Sequence, residues 1–294
     1  MTIRKVAVIG VGAMGNPMAR RIHAAGYELT VCDASDKALA PFAELGIATT
    51  RRAADCAGCD VVIILVATPD QARQVALGDG GLRTGLSGTP PLLVVMGTVA
   101  PASMHELQRE LEPVGIRVVD APVSGGVVKA RDGTLAIMMG GRADDLDTLQ
   151  PLMASMGTSL FRCGALGAGQ ATKIVNNVMG IASIMVAAEA YRVGLDNGLR
   201  LEDAVPVFEA SSGRNFFTHG ARDASDAYAA WAPTQADFNS LQAIIRKDLD
   251  LALAIGGDTA SLPVMRALRA MLDGVGDETF ENWRTVARAG TPAS

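Results

Sequence analysis

The 294-residue sequence predicts an α/β protein: an N-terminal doubly wound parallel sheet, a long interdomain helix, and an all-α C-terminal domain. Three observations carry this expectation. Apolar strand candidates alternate with helical segments through the first half, as βαβ units with right-handed crossovers require. A proline-free apolar run then extends from 170 to 195, and every segment beyond it has helical character. The first strand is 5–9, whose apolar run leads directly into Gly10-Val11-Gly12-Ala13-Met14-Gly15, and Met18, Ala19 and Ile22 follow at helical spacing. The second is 27–32, with Asp33 just past its end, and 61–66, 92–96 and 117–120 continue the sheet. A further strand at 134–139 follows the turn signal Asp132-Gly133 and precedes Gly140-Gly141, which suggests an added strand or hairpin closing the sheet. Phe161 marks one more short strand. The run from 170 to 195 makes a helix of about 26 residues, or ~39 Å, and the later helices are 201–210, 240–255, 263–272 and 278–289. The domain boundary is expected at 164/165.

Composition narrows the function classes. Apolar residues make up 49% of the chain, charged residues 19% and aromatics only 4%, so the core should be built from Ala, Val, Leu, Ile and Met. The net charge of −5 comes without a run of like charges, which argues against nucleic acid or an anionic membrane as partner. The N-terminus has no basic segment, long apolar segment or small-residue cleavage site, so a cytoplasmic protein is expected. Lys173, Asn176, Asn177 and Glu189 interrupt any membrane span in the long helix. Burial at a subunit interface, in a homodimer or homotetramer, accounts better for its apolar faces. Cys32, Cys56, Cys59 and Cys163 are read as structural thiols. Cys56-Ala-Gly-Cys59 has no second pair, and His23, His105 and His219 are scattered, so no metal site is expected.

The chemistry is concentrated in three places. The glycine run has the strand–turn–helix context of a Rossmann fingerprint. Gly10 makes the tight turn, Gly12 leaves room for a pyrophosphate, Gly15 lets helix and strand pack, and the N-terminal N–H groups of the new helix face the anion, with Val11, Ala13 and Met14 carried as cofactor contacts. Asp33, about 20 residues on, would accept both ribose hydroxyls and repel a 2′-phosphate, which favours NAD over NADP. The second place is Asp120-Ala121-Pro122-Val123-Ser124-Gly125-Gly126, just past a strand end. Read one way, the Ser124 hydroxyl and the N–H groups of Gly125 and Gly126 grip a substrate carboxylate; read the other, the run is a turn into the Asp132-Gly133 hairpin. The third opens the long helix. Lys173 and Asn177, four apart, project from one face. A lone helical lysine is usually a solvated charge, whereas these apolar flanks point to a buried one.

Five runs in order then make the chain resemble the β-hydroxyacid dehydrogenase family: GVGAMGNPMAR from Gly10, DAPVSGG from Asp120, GTLAIMMGG from Gly133, GAGQATKIVNN from Gly167, and Lys247-Asp248-Leu249. The resemblance covers nearly the whole chain. It implies that Lys173 is the catalytic acid/base, that Asn177 holds the substrate, and that Ser124, Gly125 and Gly126 bind its carboxylate. It further implies that Thr98 lies beside the nicotinamide and that Lys247 closes the site. A small 3-hydroxy acid, or the matching semialdehyde, is the implied substrate. A working Lys173 needs its pKa lowered, which burial and neighbouring positive charge would promote. The chain also departs from the family. Leu65-Val66-Ala67 stands where the family often has Met-Leu-Pro, with Val66 and Ala67 carried as cofactor contacts, and Gly97 precedes Thr98 where a polar residue is usual. In the segment 211–217, Arg214 either meets a second anionic group of the substrate or lies at the surface. Two rival readings share the architecture. An imine reductase would replace the lysine, and a non-catalytic NAD-binding protein would have lost it or gained a basic extension.

Overall fold

The computed structural model describes residues 2–66, 68–215, 221–256 and 262–289, with the side chains of 181, 182, 184, 185 and 221–224 set aside. Six parallel strands form the frame: β1 (Lys5–Ile9), β2 (Glu28–Cys32), β3 (Ala48–Thr50), β4 (Val61–Ile64), β5 (Leu92–Val95) and β6 (Arg117–Asp120). Their order is β3-β2-β1-β4-β5-β6, so the chain reverses its direction of winding between β1 and β4. Ile9 pairs with Cys32 and Ile64, Ile64 with Val95, and Val95 with Asp120. The carboxyl ends of these strands therefore share one edge, where α/β sheets bind ligands.

Strand residues alternate between two cores, because successive side chains point to opposite faces. Val6, Val8, Val61, Ile63, Leu92 and Val94 enter one cluster with Met18, Ala19 and Ile22 of α1 (Gly15–Ala24). Ala7, Ile9, Val62, Ile64, Leu93 and Val95 enter the other. Ala72 and Ala76 of α3 (Pro69–Leu77) and Met104 and Leu107 of α4 (Pro101–Leu111) cover that face. Strands buried on both sides explain the continuous apolar runs that betrayed them in sequence. Helix α2 (Asp36–Ala43) adds Leu39 and Phe42 to the first cluster.

Beyond β6 the sheet changes direction. β7 (Val123–Ser124) and β6 both pair antiparallel with β8 (Leu135–Gly140), which pairs parallel with β9 (Gly157–Gly164). The Asp132-Gly133 pair, expected to turn a hairpin, instead ends a helix, α5 (Gly126–Asp132). Gly133 takes the left-handed cap at φ 72°, and Thr134 N–H donates back to the Lys129 carbonyl at 2.9 Å. Helix α6 (Ala143–Ala154) returns the chain to β9, which is longer than Phe161 alone suggested.

Two compact units, Met1–Lys173 and Ile174–Ser294, divide inside α7 (Ala168–Asp196), a 29-residue helix. The second unit is helical among the described residues: α8 (Leu201–Glu209), α9 (Ala221–Trp231), α10 (Gln235–Gly256), α11 (Pro263–Met271) and α12 (Asp277–Arg288). Its core departs from the aliphatic expectation. The Tyr228 and Trp283 rings meet edge to face at 4.5 Å, Phe238 and Phe280 join them, and Trp283 Nε1 donates to the Tyr228 carbonyl at 2.6 Å. The few aromatics of the chain are concentrated here, where large rings fill the space between helices. No described helix is long and apolar enough to cross a membrane, and the described residues include no group of three or more potential metal ligands.

Candidate active site

The glycine run leaves β1 where its chemistry requires. Gly10 has φ +92°, and a Cβ there would collide with the Leu65 carbonyl; a Cβ on Gly15 would collide with the carbonyl of Gly10. These two glycines serve the turn and the packing of α1. Gly12 is different: a Cβ there would meet nothing within 4 Å, so its side is open. At the tip of β2, Asp33 accepts the Val11 N–H at 2.9 Å through Oδ2 and the Ser35 N–H at 2.9 Å through Oδ1. A half-buried carboxylate is thereby held against the glycine turn. An open backbone cradle at a helix start beside a fixed acid is the donor set that a dinucleotide's pyrophosphate and ribose diol require. The residues fit NAD.

The next two loops come from the same edge. Val66, half-buried, follows β4, while Ala67 lies outside the described residues. Pro69 begins α3 behind a capping box, in which Gln71 N–H donates to Thr68 Oγ1 and Thr68 N–H to Gln71 Oε1, each at 3.2 Å. Thr98, half-buried, follows β5. The departure at Gly97 has a steric reason, because a Cβ there would lie 2.7 Å from the Val66 carbonyl oxygen. Ser124 ends β7 half-buried, and Gly125 and Gly126 take φ of 135° and 68°, conformations that favour glycine. No atom lies within 4 Å of a Cβ built on Gly126, so its backbone is approachable.

Lys173 lies in the second turn of α7 and is only 9% exposed, as its apolar flanks suggested. Asn177 follows one turn along the helix. In the helical unit its Nδ2 donates to Asp248 Oδ2 at 2.6 Å, and Lys247 Nζ lies 2.9 Å from Asp248 Oδ1. Asp248, 2% exposed, thus joins two residues named from the sequence. Arg214 has a different setting: its guanidinium is 68% exposed and pairs with Glu209 at 3.0 Å.

Sequence reasoning gave no role to three of these polar residues. Asp248 was in view within the Lys247-Asp248-Leu249 run, but only the tertiary contact reveals its task. Asp120 and Gln170 are also fully buried. Burial raises the Asp120 carboxyl above the usual carboxylate range, only partly offset by the N–H donors from Gly167 and Gln170. Three of the four cysteines, Cys32, Cys56 and Cys59, are buried. The Cys32 thiol, hydrogen-bonded to Cys56, is lowered while Cys56 is raised, and burial raises Cys59, which keeps the CxxC pair protonated.

Comparison with known proteins agrees with this geometry. Residues 5–167 match the NAD-binding domain of 6-phosphogluconate dehydrogenase, and 167–284 match the NAD-binding family of NADP-dependent 3-hydroxyisobutyrate dehydrogenase. An NAD-dependent L-serine dehydrogenase of Pseudomonas aeruginosa is 33% identical, covering 92% of this chain and 91% of that protein. A 3-hydroxyisobutyrate dehydrogenase of the same organism is 34% identical, covering 85% and 84%. A Mycobacterium tuberculosis 3-hydroxyisobutyrate dehydrogenase solved with L-serine superposes with TM-score 0.78 at 26% identity, covering 98% and 99%. An imine reductase from Myxococcus stipitatus with NADP+ is more distant, at TM-score 0.64 and 18% identity over 92% and 93%, and shares the fold. The chain belongs to the β-hydroxyacid dehydrogenase family and is an NAD-binding oxidoreductase.

Proposed function

We propose that the protein oxidises a small 3-hydroxy acid with NAD, or reduces the matching semialdehyde with NADH, and that Lys173 moves the proton. The observation that carries this reading is a lysine 9% exposed in the second turn of α7, the helix that starts beside the carboxyl ends of β5 and β6. NAD, when bound, supplies hydride acceptance at nicotinamide C4. The rest falls to the chain. Gly10 to Gly15 cradle the pyrophosphate and Asp33 accepts the ribose hydroxyls. Ser124 Oγ and the N–H groups of Gly125 and Gly126 hold the substrate carboxylate, and Asn177 orients the reacting hydroxyl. In oxidation neutral Lys173 accepts the hydroxyl proton; in reduction its ammonium polarises the carbonyl and returns that proton. Lys247, whose Nζ lies 2.9 Å from Asp248 Oδ1, is proposed as a further cofactor contact.

L-serine and 3-hydroxyisobutyrate, named for the two bacterial relatives, are both carboxylates with a hydroxyl on the third carbon. A carboxylate grip with little demand on the second carbon serves either. The working form is proposed to be a homodimer or homotetramer. Val175, Met179, Val186 and Val193 of α7 are 54–69% exposed at spacings of 4 and 7, an apolar stripe suited to another copy. The test is spectrophotometric: both acids and their homologues, offered with NAD and NADP. NAD-linked turnover of at least one 3-hydroxy acid supports the proposal, and turnover of none, by enzyme shown to bind NADH, overturns it.

A further inference from the structure

Helix α7 carries Lys173, and its start is held in an unusual way. An α-helix begins with four N–H groups that have no partner in the helix. Here two of the N–H groups at the start of the helix are met from a distance. Ala168 N–H reaches the Ala165 carbonyl at 3.0 Å, while Gly167 N–H donates to Asp120 Oδ1 at 2.6 Å and Gln170 N–H to Asp120 Oδ2 at 2.7 Å. Asp120 is the last residue of β6, 47 and 50 positions away, and has no exposed surface. Both oxygens accept short bonds, as an ionised carboxylate at the positive end of a helix does.

The surroundings leave no slack. A Cβ on Gly140 would lie 2.6 Å from Asp120 Oδ1, and one on Gly169 would lie 2.7 Å from Oδ2. Two glycines are thus fitted around the carboxylate, one on β8 and one on α7. Gln170 extends the chain of bonds. Its Oε1 accepts the Val99 N–H at 3.0 Å and its Nε2 donates to the Gly97 carbonyl at 2.8 Å, so one buried amide brackets Thr98 from both sides. Lys173 lies three residues further along the same helix.

We infer that Asp120 and Gln170 are positioning residues that fix Lys173 and the Thr98 loop in one frame, so that the proton acceptor and the cofactor-side threonine keep a constant geometry through the reaction. The strand end holds the helix start through Asp120, and the helix start holds the 97–99 loop through Gln170. Neither residue has exposed surface to offer a substrate. The inference rests on the reading of Lys173 as the acid/base, and it has a motive beyond stability. Ordinary capping would satisfy the N–H groups with a local Ser or Asp, whereas a cap drawn from β6 ties the helix to the catalytic edge of the sheet.

The test uses Gln170→Leu, which keeps the volume and removes both amide bonds, and Asp120→Asn, which sets an amide N–H₂ against a backbone N–H. Single-turnover hydride transfer is followed with whichever of L-serine and 3-hydroxyisobutyrate is turned over. Its rate constant reports geometry, and its amplitude reports the fraction of intact sites. Gln170→Leu is expected to slow hydride transfer roughly tenfold to a hundredfold at unchanged amplitude, because displacements of about 1 Å have effects of that size. A second measurement needs no turnover: amide hydrogen exchange of the free enzyme should quicken at 97–99 in Gln170→Leu, and at both 97–99 and 167–170 in Asp120→Asn. A wild-type rate constant in Gln170→Leu, with or without lost amplitude, overturns the inference. So does unchanged protection of 97–99. Lys173→Ala measured alongside separates the two ideas, since a wild-type rate there would overturn the acid/base role while leaving the clamp to be judged by Gln170→Leu.

Discussion

Asp33 is proposed to set the choice between two cofactors through one carboxylate. Its oxygens already accept the Val11 and Ser35 N–H groups, so the charge sits at a fixed place beside the glycine turn. A 2′-phosphate there meets a like charge, whereas ribose hydroxyls can donate to it. Wild-type kcat/KM is expected to favour NAD over NADP, and Asp33→Asn to narrow that ratio; equal use of both by the wild type would remove the assignment. Arg214 invites the opposite test. Paired with Glu209 at the surface, it is expected to matter little, since an exposed pair contributes at most ~1 kcal/mol. Arg214→Ala should therefore leave KM within about fivefold, and a rise well beyond tenfold would return it to the substrate.

Among the elements, the strand, glycine turn and helix at β1–α1 divide the glycines by task. Gly15→Ala must push its Cβ into the Gly10 carbonyl and is expected to lower the melting temperature. Gly12→Ala adds a Cβ with nothing within 4 Å and should fold normally while weakening NAD binding, which calorimetry on the two variants would separate. In the helical unit, Trp283→Ala removes a side chain 1% exposed and should cost about 3–5 kcal/mol in denaturant unfolding. Legibility in sequence followed length and locality. The buried strands 5–9 and 117–120 could be read because unbroken apolar runs announce them, and the glycine run because its spacing is its chemistry. β3 and β7, three and two residues long, carry too little pattern to be seen, and α5 hid behind two glycines and a misleading Asp-Gly pair. Helix α9, ARDASDAYAAW, mixes acids and alanines without the bulky periodicity that marked its neighbours. The roles of Asp120, Gln170 and Asp248 were illegible for a different reason: each depends on partners 47 to 73 positions away.

For the whole molecule, the exposed stripe on α7 bears on assembly. Apolar side chains at 175, 179, 186 and 193 should lie against another copy, so light scattering is expected to give a dimer or tetramer, and Met179→Glu to shift it toward monomer. A monodisperse wild-type monomer at micromolar concentration would contradict this. The central claim, that a buried lysine moves the proton in NAD-dependent oxidation of a 3-hydroxy acid, is tested most directly by kcat and NAD affinity of Lys173→Ala, measured side by side on the acid that the wild type turns over. General acid/base help is worth about 10² to 10⁴ in rate, so kcat should fall by that factor while the NAD dissociation constant stays near the wild-type value. A variant that binds NAD and keeps most of its turnover would show that some other group moves the proton.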